Sequence, residues 1–221
     1  MSYLPFVSGL SAESKAALMA LGSTREVTAG TAIALEGDVG NRVWVIHSGV
    51  VKVSVLHRDG LAVVIALRGP GDLIGELALI DDEPRSATAT ALLDAQVQVL
   101  TEGEFHSFLL DDPHAAVALR RNLAARLRES DALRLGQAAE DVLQRLARCL
   151  VDLARAHGHR HDGVVVIDLP LTQLDLAGMV GASRDAVAKS LQTWRDGGLI
   201  RTSRRRIELL DLDTLVRRHR L

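Results

Sequence analysis

The chain has 221 residues, of which 48% are hydrophobic and 24% are charged, and its formal net charge is −2. This length allows two modest domains with cores of their own, and no apolar run approaches the roughly 20 residues that span a bilayer. A single cysteine, Cys149, excludes a disulfide framework, and the chain start lacks the features of a secretion signal, so we expect a cytoplasmic protein.

The first part of the chain changes from a helical to a strand-like pattern. Residues 1–22 predict a short helix that Ser11 caps and Gly22 ends. From Thr24 to Thr101, short alternating or apolar runs are separated by glycine-containing turns, and Asp59-Gly60 is a strong hairpin signal. This spacing predicts an antiparallel sandwich or jelly roll, with Trp44 in its core.

A compact set of polar residues interrupts these strands. Gly75 has no Cβ, so backbone N–H groups can approach a phosphate closely, and Arg85 offers a planar fork of donors for phosphate oxygens. Ser86 adds a hydroxyl and an N–H, whereas Glu76 is suited to accept from a ribose hydroxyl. A glycine turn followed by a surface ion pair is the plain alternative.

A long helix is predicted next. Asp112 can cap it, Pro113 fits its first position, and the pattern continues to about Leu135. Its apolar stripe, which Arg126 and Ser130 interrupt, can pack on its own domain or pair with a second copy, and we favour pairing. The stripe consists of Ala116, Leu119, Leu123, Leu127 and Leu133. Leu135-Gly136-Gln137 is the predicted hinge.

A second helix is predicted over residues 142–156, with Asp141 as its cap. The segment from His157 to Gly163 contains three alternating histidines, at His157, His159 and His161. They could bind a metal, but no cysteine supports them, and we favour a flexible surface loop before a strand at residues 164–168.

The last part of the chain predicts a winged helix-turn-helix. Thr172 caps a helix over 173–180, Gly181-Ala182 makes a turn, and Ser183 caps a second helix over 184–195. A hairpin with its tip at 202–205 follows. Residues 113–221 hold 19 basic and 13 acidic residues, whereas residues 1–112 hold seven and 15, which favours a polyanion partner for this part.

The second short helix would place its first turn in the major groove of DNA. Arg184, Asp185 and Lys189 share one face and can bond base edges, as Arg and Lys do with guanine and Asp does with cytosine. The remaining DNA-binding candidates lie at helix starts and in the wing, where phosphates are contacted. They are Thr172, Gln173, Ser183, Arg204, Arg205 and Arg206.

These motifs, in this order, resemble those of the CRP/FNR family of bacterial transcription regulators. Residues 74–90 resemble the family's nucleotide-phosphate signature, and residues 172–200 its DNA-binding signature. The resemblance implies a cyclic-nucleotide site in the first domain. Its residues would be Gly75, Glu76, Leu77, Arg85, Ser86 and Ala87, together with Ser130 and Asp131, which stand where the family contacts the adenine.

We therefore expect an α+β protein with three parts: an N-terminal antiparallel jelly roll over 1–111, a dimerisation helix and hinge over 112–138, and a winged helix-turn-helix over 139–221. It would be a homodimeric transcription regulator and not an enzyme. It would bind a palindromic operator in double-stranded DNA, and a cyclic nucleotide, with cyclic AMP as the first candidate, would control this binding. RNA polymerase is an expected partner, and no metal or membrane is expected. The alternatives are an orphan regulator with another ligand or none, and a nucleotide-binding regulatory subunit that does not bind DNA.

Overall fold

The computed structural model describes residues 4–58 and 60–218, and the chain divides into two compact units, residues 1–130 and 131–221. A division into two units does not test whether residues 112–138 form a separate dimerisation part, so the predicted division into three parts stays a prediction. Among the described residues, no helix is both long enough and apolar enough to cross a bilayer.

The first unit contains two four-stranded antiparallel sheets, with strand orders β1-β8-β3-β6 and β2-β7-β4-β5. This arrangement confirms the predicted antiparallel β-domain. The strands are β1 Ser23–Val27, β2 Ala32–Ala34, β3 Arg42–Ser48, β4 Val51–Leu56, β5 Ala62–Arg68, β6 Leu73–Ile74, β7 Thr88–Ala91 and β8 Ala95–Thr101. β4 and β5 pair as the predicted hairpin, although Asp59 in its turn lies outside the described residues.

The α-helices that begin in the first unit start at side-chain caps, except for the short one at Leu77–Ile80. They are α1 Ala12–Met19, α2 Leu77–Ile80, α3 Glu102–Asp111 and the long α4 Pro113–Ala139, whose last nine residues belong to the second unit. A 3₁₀ turn at Phe6–Gly9 precedes them. Ser11 accepts from the Ser14 N–H, as predicted, and Asp112 accepts from the first N–H groups of α4. The sequence interpretation missed α3, which Thr101 and Glu104 cap reciprocally.

The apolar stripe of α4 is divided between two environments. Leu119 of the stripe is buried in the same core cluster as its helix neighbours Ala115 and Ala118 and as residues of β3 and α3, so the first half of the helix packs on its own unit. Farther along, Leu127 and Leu133 of the stripe are 62% and 43% exposed, and Leu135 beyond them is 68% exposed. The prediction that the helix ends near Leu135 is wrong, because α4 continues through Gly136 to Ala139.

The second unit combines four helices with one antiparallel sheet of order β11-β12-β10-β9 in its described part. Its elements are α5 Val142–His157, β9 Gly158–His161, β10 Val164–Ile167, α6 Gln173–Val180, α7 Arg184–Asp196, β11 Ile200–Ser203, β12 Arg206–Leu209 and α8 Leu212–Arg218. Buried side chains such as Leu150, Leu176 and Trp194 form its interior. Cys149 lies on α5, where burial raises the pKa of its thiol to about 12.

The histidine-containing segment is a hairpin and not the predicted flexible loop. Residues of β9 pair with β10, so that His159 lies opposite Val166 and His161 opposite Val164. His159 approaches Asp168 (3.7 Å) and His161 approaches Asp162 (3.5 Å). Within the described residues, no group of three or more His, Cys, Asp or Glu side chains is arranged to hold a metal ion.

Candidate functional site

Gly75 and Arg85 are in direct contact in the first unit. Gly75 has a φ of +83°, and a Cβ at this position would lie 2.3 Å from Arg85 Nη1, so only glycine fits. Arg85 is 6% exposed and donates from Nη1 to the Gly75 carbonyl (2.5 Å) and from Nη2 to the Arg42 carbonyl (2.7 Å). The guanidinium that the sequence assigns to a phosphate therefore also holds two backbone segments together.

An aromatic ring supports the same guanidinium. Arg85 Cζ lies 5.0 Å from the centroid of the Trp44 ring, within the range of a cation–π interaction. Trp44 is partly buried against a core cluster of the first unit, in agreement with its predicted place in the core, and its ring also contacts the Arg85 guanidinium. Burial lowers the pKa of Arg85, and the negative charges of Glu76 and Asp38 oppose this shift. The group stays charged at neutral pH because an arginine pKa starts so high.

Glu76 is the most buried acidic residue of this cluster, at 2% exposure. Its Oε1 accepts from Arg126 on α4, and Arg126 also donates to the Leu73 carbonyl (2.9 Å). Its Oε2 is buried and has no hydrogen-bond partner among the residues that the structure describes. A buried carboxylate oxygen is costly without a donor, so this atom is suited to receive a hydroxyl from a ligand.

Arg126 was missed as a site residue because it was interpreted only as a break in the apolar stripe. The usable signal was its spacing from Ala115, Ala118 and Leu119, which places it on the helix face that packs against the core of the first unit. A cation on a buried face needs an anion, and Glu76 was the acidic residue already assigned to the site.

We expect the Arg126→Met substitution to lower the free energy of unfolding by about 3–5 kcal/mol, because it leaves the buried Glu76 carboxylate without its hydrogen-bonded cation. The double variant Glu76→Gln, Arg126→Met should lose clearly less, since no unpaired charge remains. Urea denaturation measures both values, with Arg128→Met on the exposed side of α4 as the control. Equal losses for the single and double variants would contradict a buried ion pair.

The other predicted ligand residues differ in exposure. Leu77 is 43% exposed at the start of α2, Ser86 is exposed and Ala87 is half-buried. On α4, Ser130 is half-buried, whereas Asp131 is exposed and lies 3.6 Å from Arg134. The structure therefore brings Gly75, Glu76 and Arg85 together with Arg126, while the roles of Ser130 and Asp131 remain predictions.

The second unit contains the predicted pair of short helices. Thr172 Oγ1 accepts from the Asp175 N–H (3.1 Å), and the Thr172 N–H donates to Asp175 Oδ2 (2.8 Å), which closes a capping box at the start of α6. The Thr172 hydroxyl also donates to Asp175 Oδ2 (2.7 Å). Gly181 adopts the left-handed conformation that ends α6. Ser183 then accepts from the Ala186 N–H (3.2 Å) and begins α7. The hydroxyl of Thr172 is thus occupied within the protein, although the residue is exposed.

The outer face of α7 carries charge and its inner face is apolar. Arg184, Asp185 and Lys189 are exposed, whereas Val187, Leu191 and Trp194 on the opposite face are buried. Gln173 at the start of α6 is half-buried. The arrangement presents three polar side chains from the first turns of α7, as a recognition helix does.

The wing is the turn between β11 and β12. Arg204 and Arg205 at this turn are exposed. The next residue, Arg206, differs because it is half-buried and pairs through Nε with Glu208 (3.0 Å) and Asp168 (3.7 Å). Of these three consecutive arginines, Arg204 and Arg205 are therefore the two whose side chains are exposed, and their contact with phosphates stays a prediction.

Family models agree with both units. Residues 24–112 match the model of the cyclic nucleotide-binding domain, and residues 144–218 match the Crp-like helix-turn-helix domain. With the fold and the exposed, charged face of α7, these matches define a DNA-binding transcription regulator with a cyclic nucleotide-binding domain, not an enzyme.

The similar proteins identify the family. The chain is 32% identical to the CRP-like cAMP-activated global transcriptional regulator of Mycobacterium tuberculosis, over 86% of this chain and 85% of that protein. It is 30% identical to the cyclic AMP receptor protein of Thermus thermophilus, over 89% and 88%. A solved transcriptional regulator of the CRP/FNR family from Thermus thermophilus superposes with a TM-score of 0.77 at 28% identity, over 90% and 99% of the two chains. The chain belongs to the CRP/FNR family of transcription regulators.

Proposed function

We propose that this regulator is a homodimer, acting in the cytoplasm, whose affinity for a palindromic operator is controlled by a 3′,5′-cyclic nucleotide. The observation that carries the proposal is the buried, unpartnered Oε2 of Glu76 beside Gly75 and Arg85. A ribose hydroxyl is the donor that this oxygen lacks.

The phosphate end of such a ligand needs positive charge and N–H donors. Two of the five N–H donors of Arg85 bind carbonyls, and its remaining donors can meet phosphate oxygens without breaking those bonds. The exposed Ser86 adds its hydroxyl and backbone N–H. Arg126 brings a second cation to this cluster, in which Glu76 and Asp38 are the negative charges that act on Arg85.

The identity of the base is supported by relatives. The names of the Mycobacterium tuberculosis and Thermus thermophilus proteins refer to cyclic AMP, and we propose it as the first ligand for this chain. Ser130 is the residue on α4 proposed to contact the base. Asp131 can accept from an exocyclic amine, which adenine provides.

Pairing of two copies is supported by the exposed apolar residues of α4. Leu127 and Leu135 would be buried by a second α4, which is the usual reason for such residues on a long helix. A two-fold dimer presents two α7 helices, so its operator is palindromic, with half-sites about 34 Å apart. RNA polymerase is the partner expected if the protein activates transcription.

Calorimetry tests the proposed control. Cyclic AMP should bind the protein on its operator, selected from random-sequence DNA, about 5–150 times more tightly than it binds free protein, because the coupling is reciprocal. Native mass spectrometry of the same sample reports the dimer. Equal nucleotide affinities with and without operator would contradict nucleotide control and favour an orphan regulator. Nucleotide binding without any DNA binding would favour a regulatory subunit.

A further inference from the structure

Arg145 on α5 contacts both the end of α4 and the turn of the helix-turn-helix. Its Nη1 donates to the Glu140 carbonyl (2.5 Å), directly after α4. Its Nε donates to the Val180 carbonyl (2.8 Å) and its Nη2 to the Gly181 carbonyl (3.2 Å), where α6 ends. All three acceptors are main-chain oxygens near helix ends, where carbonyls lack partners within the helix and a cation is favoured.

A second contact joins the same two segments. A Cβ at Gly181 would lie 2.2 Å from Gln137 Nε2, so the Gln137 side chain on the last turns of α4 lies directly against this turn. Gly181 also has a φ of +61°, which disfavours any residue with a side chain. The turn before α7 is therefore covered by one residue of α4 and bonded by an arginine that also holds the residue after α4.

The Glu140 side chain holds a different arginine. Its Oε1 accepts from Arg148 Nη2 (2.5 Å), and Arg148 lies one turn after Arg145 on α5. No bond from Arg148 to the Gly181 turn is present in the described structure. The chain thus offers two arginines that both bind Glu140, of which only Arg145 also binds the turn.

We propose that Arg145 is a positioning residue that fastens the last turns of α4 to the turn between α6 and α7. Since Ser183 and α7 follow this turn immediately, the direction of α7 is set by the direction of the last turns of α4. A change in α4 then moves the recognition helix as one piece. The proposal rests on the proposed nucleotide control, which it deepens by naming the residue that transmits it.

The planar guanidinium group of Arg145 is essential for holding the end of α4 to the turn before α7. Three carbonyl oxygens at different positions are bonded by three separate N–H groups, which a guanidinium holds in fixed geometry. A lysine keeps the charge but presents its donors from a single atom, so it cannot hold both segments in the same geometry. The Arg145→Lys variant therefore tests the loss of the guanidinium geometry while the positive charge is kept.

The test compares Arg145→Lys and Arg145→Gln with the control Arg148→Gln in the full chain. Operator affinity is measured with and without cyclic AMP, and the ratio is the coupling factor. The wild type and Arg148→Gln should keep a factor of at least about fivefold, whereas for both Arg145 variants the factor should fall below about twofold while the nucleotide affinity of the DNA-free protein stays unchanged. A coupling factor that survives in Arg145→Gln, or is lost equally in Arg148→Gln, would overturn the proposal.

Hydrogen exchange on the free protein gives a second readout that needs neither nucleotide nor DNA. Arg145→Gln should speed exchange in residues 137–141 and 180–186 together, because one group protects both. Arg148→Gln should affect only the first segment. If residues 180–186 exchange as in the wild type, Arg145 does not hold the turn. A wild-type coupling factor of one, with this joint exchange effect intact, would instead refute nucleotide control and leave the fastening supported.

Where Arg145→Gln fails to fold, Gln137→Ala replaces it, since this variant removes the side chain that lies on Gly181 and leaves the arginine in place. Its coupling factor should fall at least twofold below the wild-type value. An unchanged factor would count against the proposal.

Discussion

Replacing Arg85 with alanine is expected to abolish cyclic-nucleotide binding, because the phosphate would enter a buried site without its guanidinium. The same change also removes donors from the Gly75 and Arg42 carbonyls. We therefore expect the free energy of unfolding to fall by about 2–4 kcal/mol, so that the fold is weakened as well as the site. Calorimetric titration with cyclic AMP and urea denaturation measure the two effects separately.

A matched control for this variant is Arg42→Ala. It removes a nearby exposed cation but keeps the backbone carbonyl that Arg85 binds. We expect nucleotide affinity within about threefold of the wild type, since a surface charge contributes little. An Arg85→Ala protein that is folded and still binds cyclic AMP with wild-type affinity would refute the assignment of the phosphate site.

Arg184 and Arg205 are expected to contribute to DNA binding in different ways. Arg184 is exposed at the first position of α7, so Arg184→Ala should cost about 1–3 kcal/mol of discrimination at one base pair of each half-site. Arg205 is exposed at the wing turn, and its removal should weaken binding to all sequences alike. The slope of log affinity against log salt should become shallower by about 0.9 for each phosphate that the variant no longer neutralises.

The backbone at Arg205 determines which substitution tests this prediction. Its φ is +64°, so alanine would strain the turn, whereas glycine removes the charge and tolerates the conformation. We therefore use Arg205→Gly and compare binding to selected and scrambled DNA at several salt concentrations. Relaxed sequence preference in Arg205→Gly, together with uniform weakening in Arg184→Ala, would reverse the two assignments.

Local signals in the sequence were sufficient for much of the fold. Ser11, Thr172 and Ser183 each act as the caps that their spacing predicted, because a cap depends on residues three positions apart. Thr101 and Glu104 have the same three-residue spacing, which is that of a capping box, and this spacing was sufficient to predict α3. The β9 strand has no apolar alternation, so its pairing with β10 was not visible in the sequence.

The remaining differences depend on contacts between distant residues. The bonds of Arg85 to the Gly75 and Arg42 carbonyls, and of Arg126 to Glu76, cannot be read from a periodic pattern. Gly136 favoured a helix end, since glycine costs about 1 kcal/mol within a helix. The structure instead buries this residue, where a Cβ would lie 3.4 Å from the Glu140 carboxylate.

The bond between Arg126 and Glu76 also limits how this gene can vary in length. One residue inserted into α4 between Pro113 and Arg126 would rotate the arginine by about 100° around the helix axis and shift it about 1.5 Å. The guanidinium would then face away from the carboxylate. Insertions and deletions should therefore be absent from this stretch in related genes and be confined to surface turns such as the one between β4 and β5.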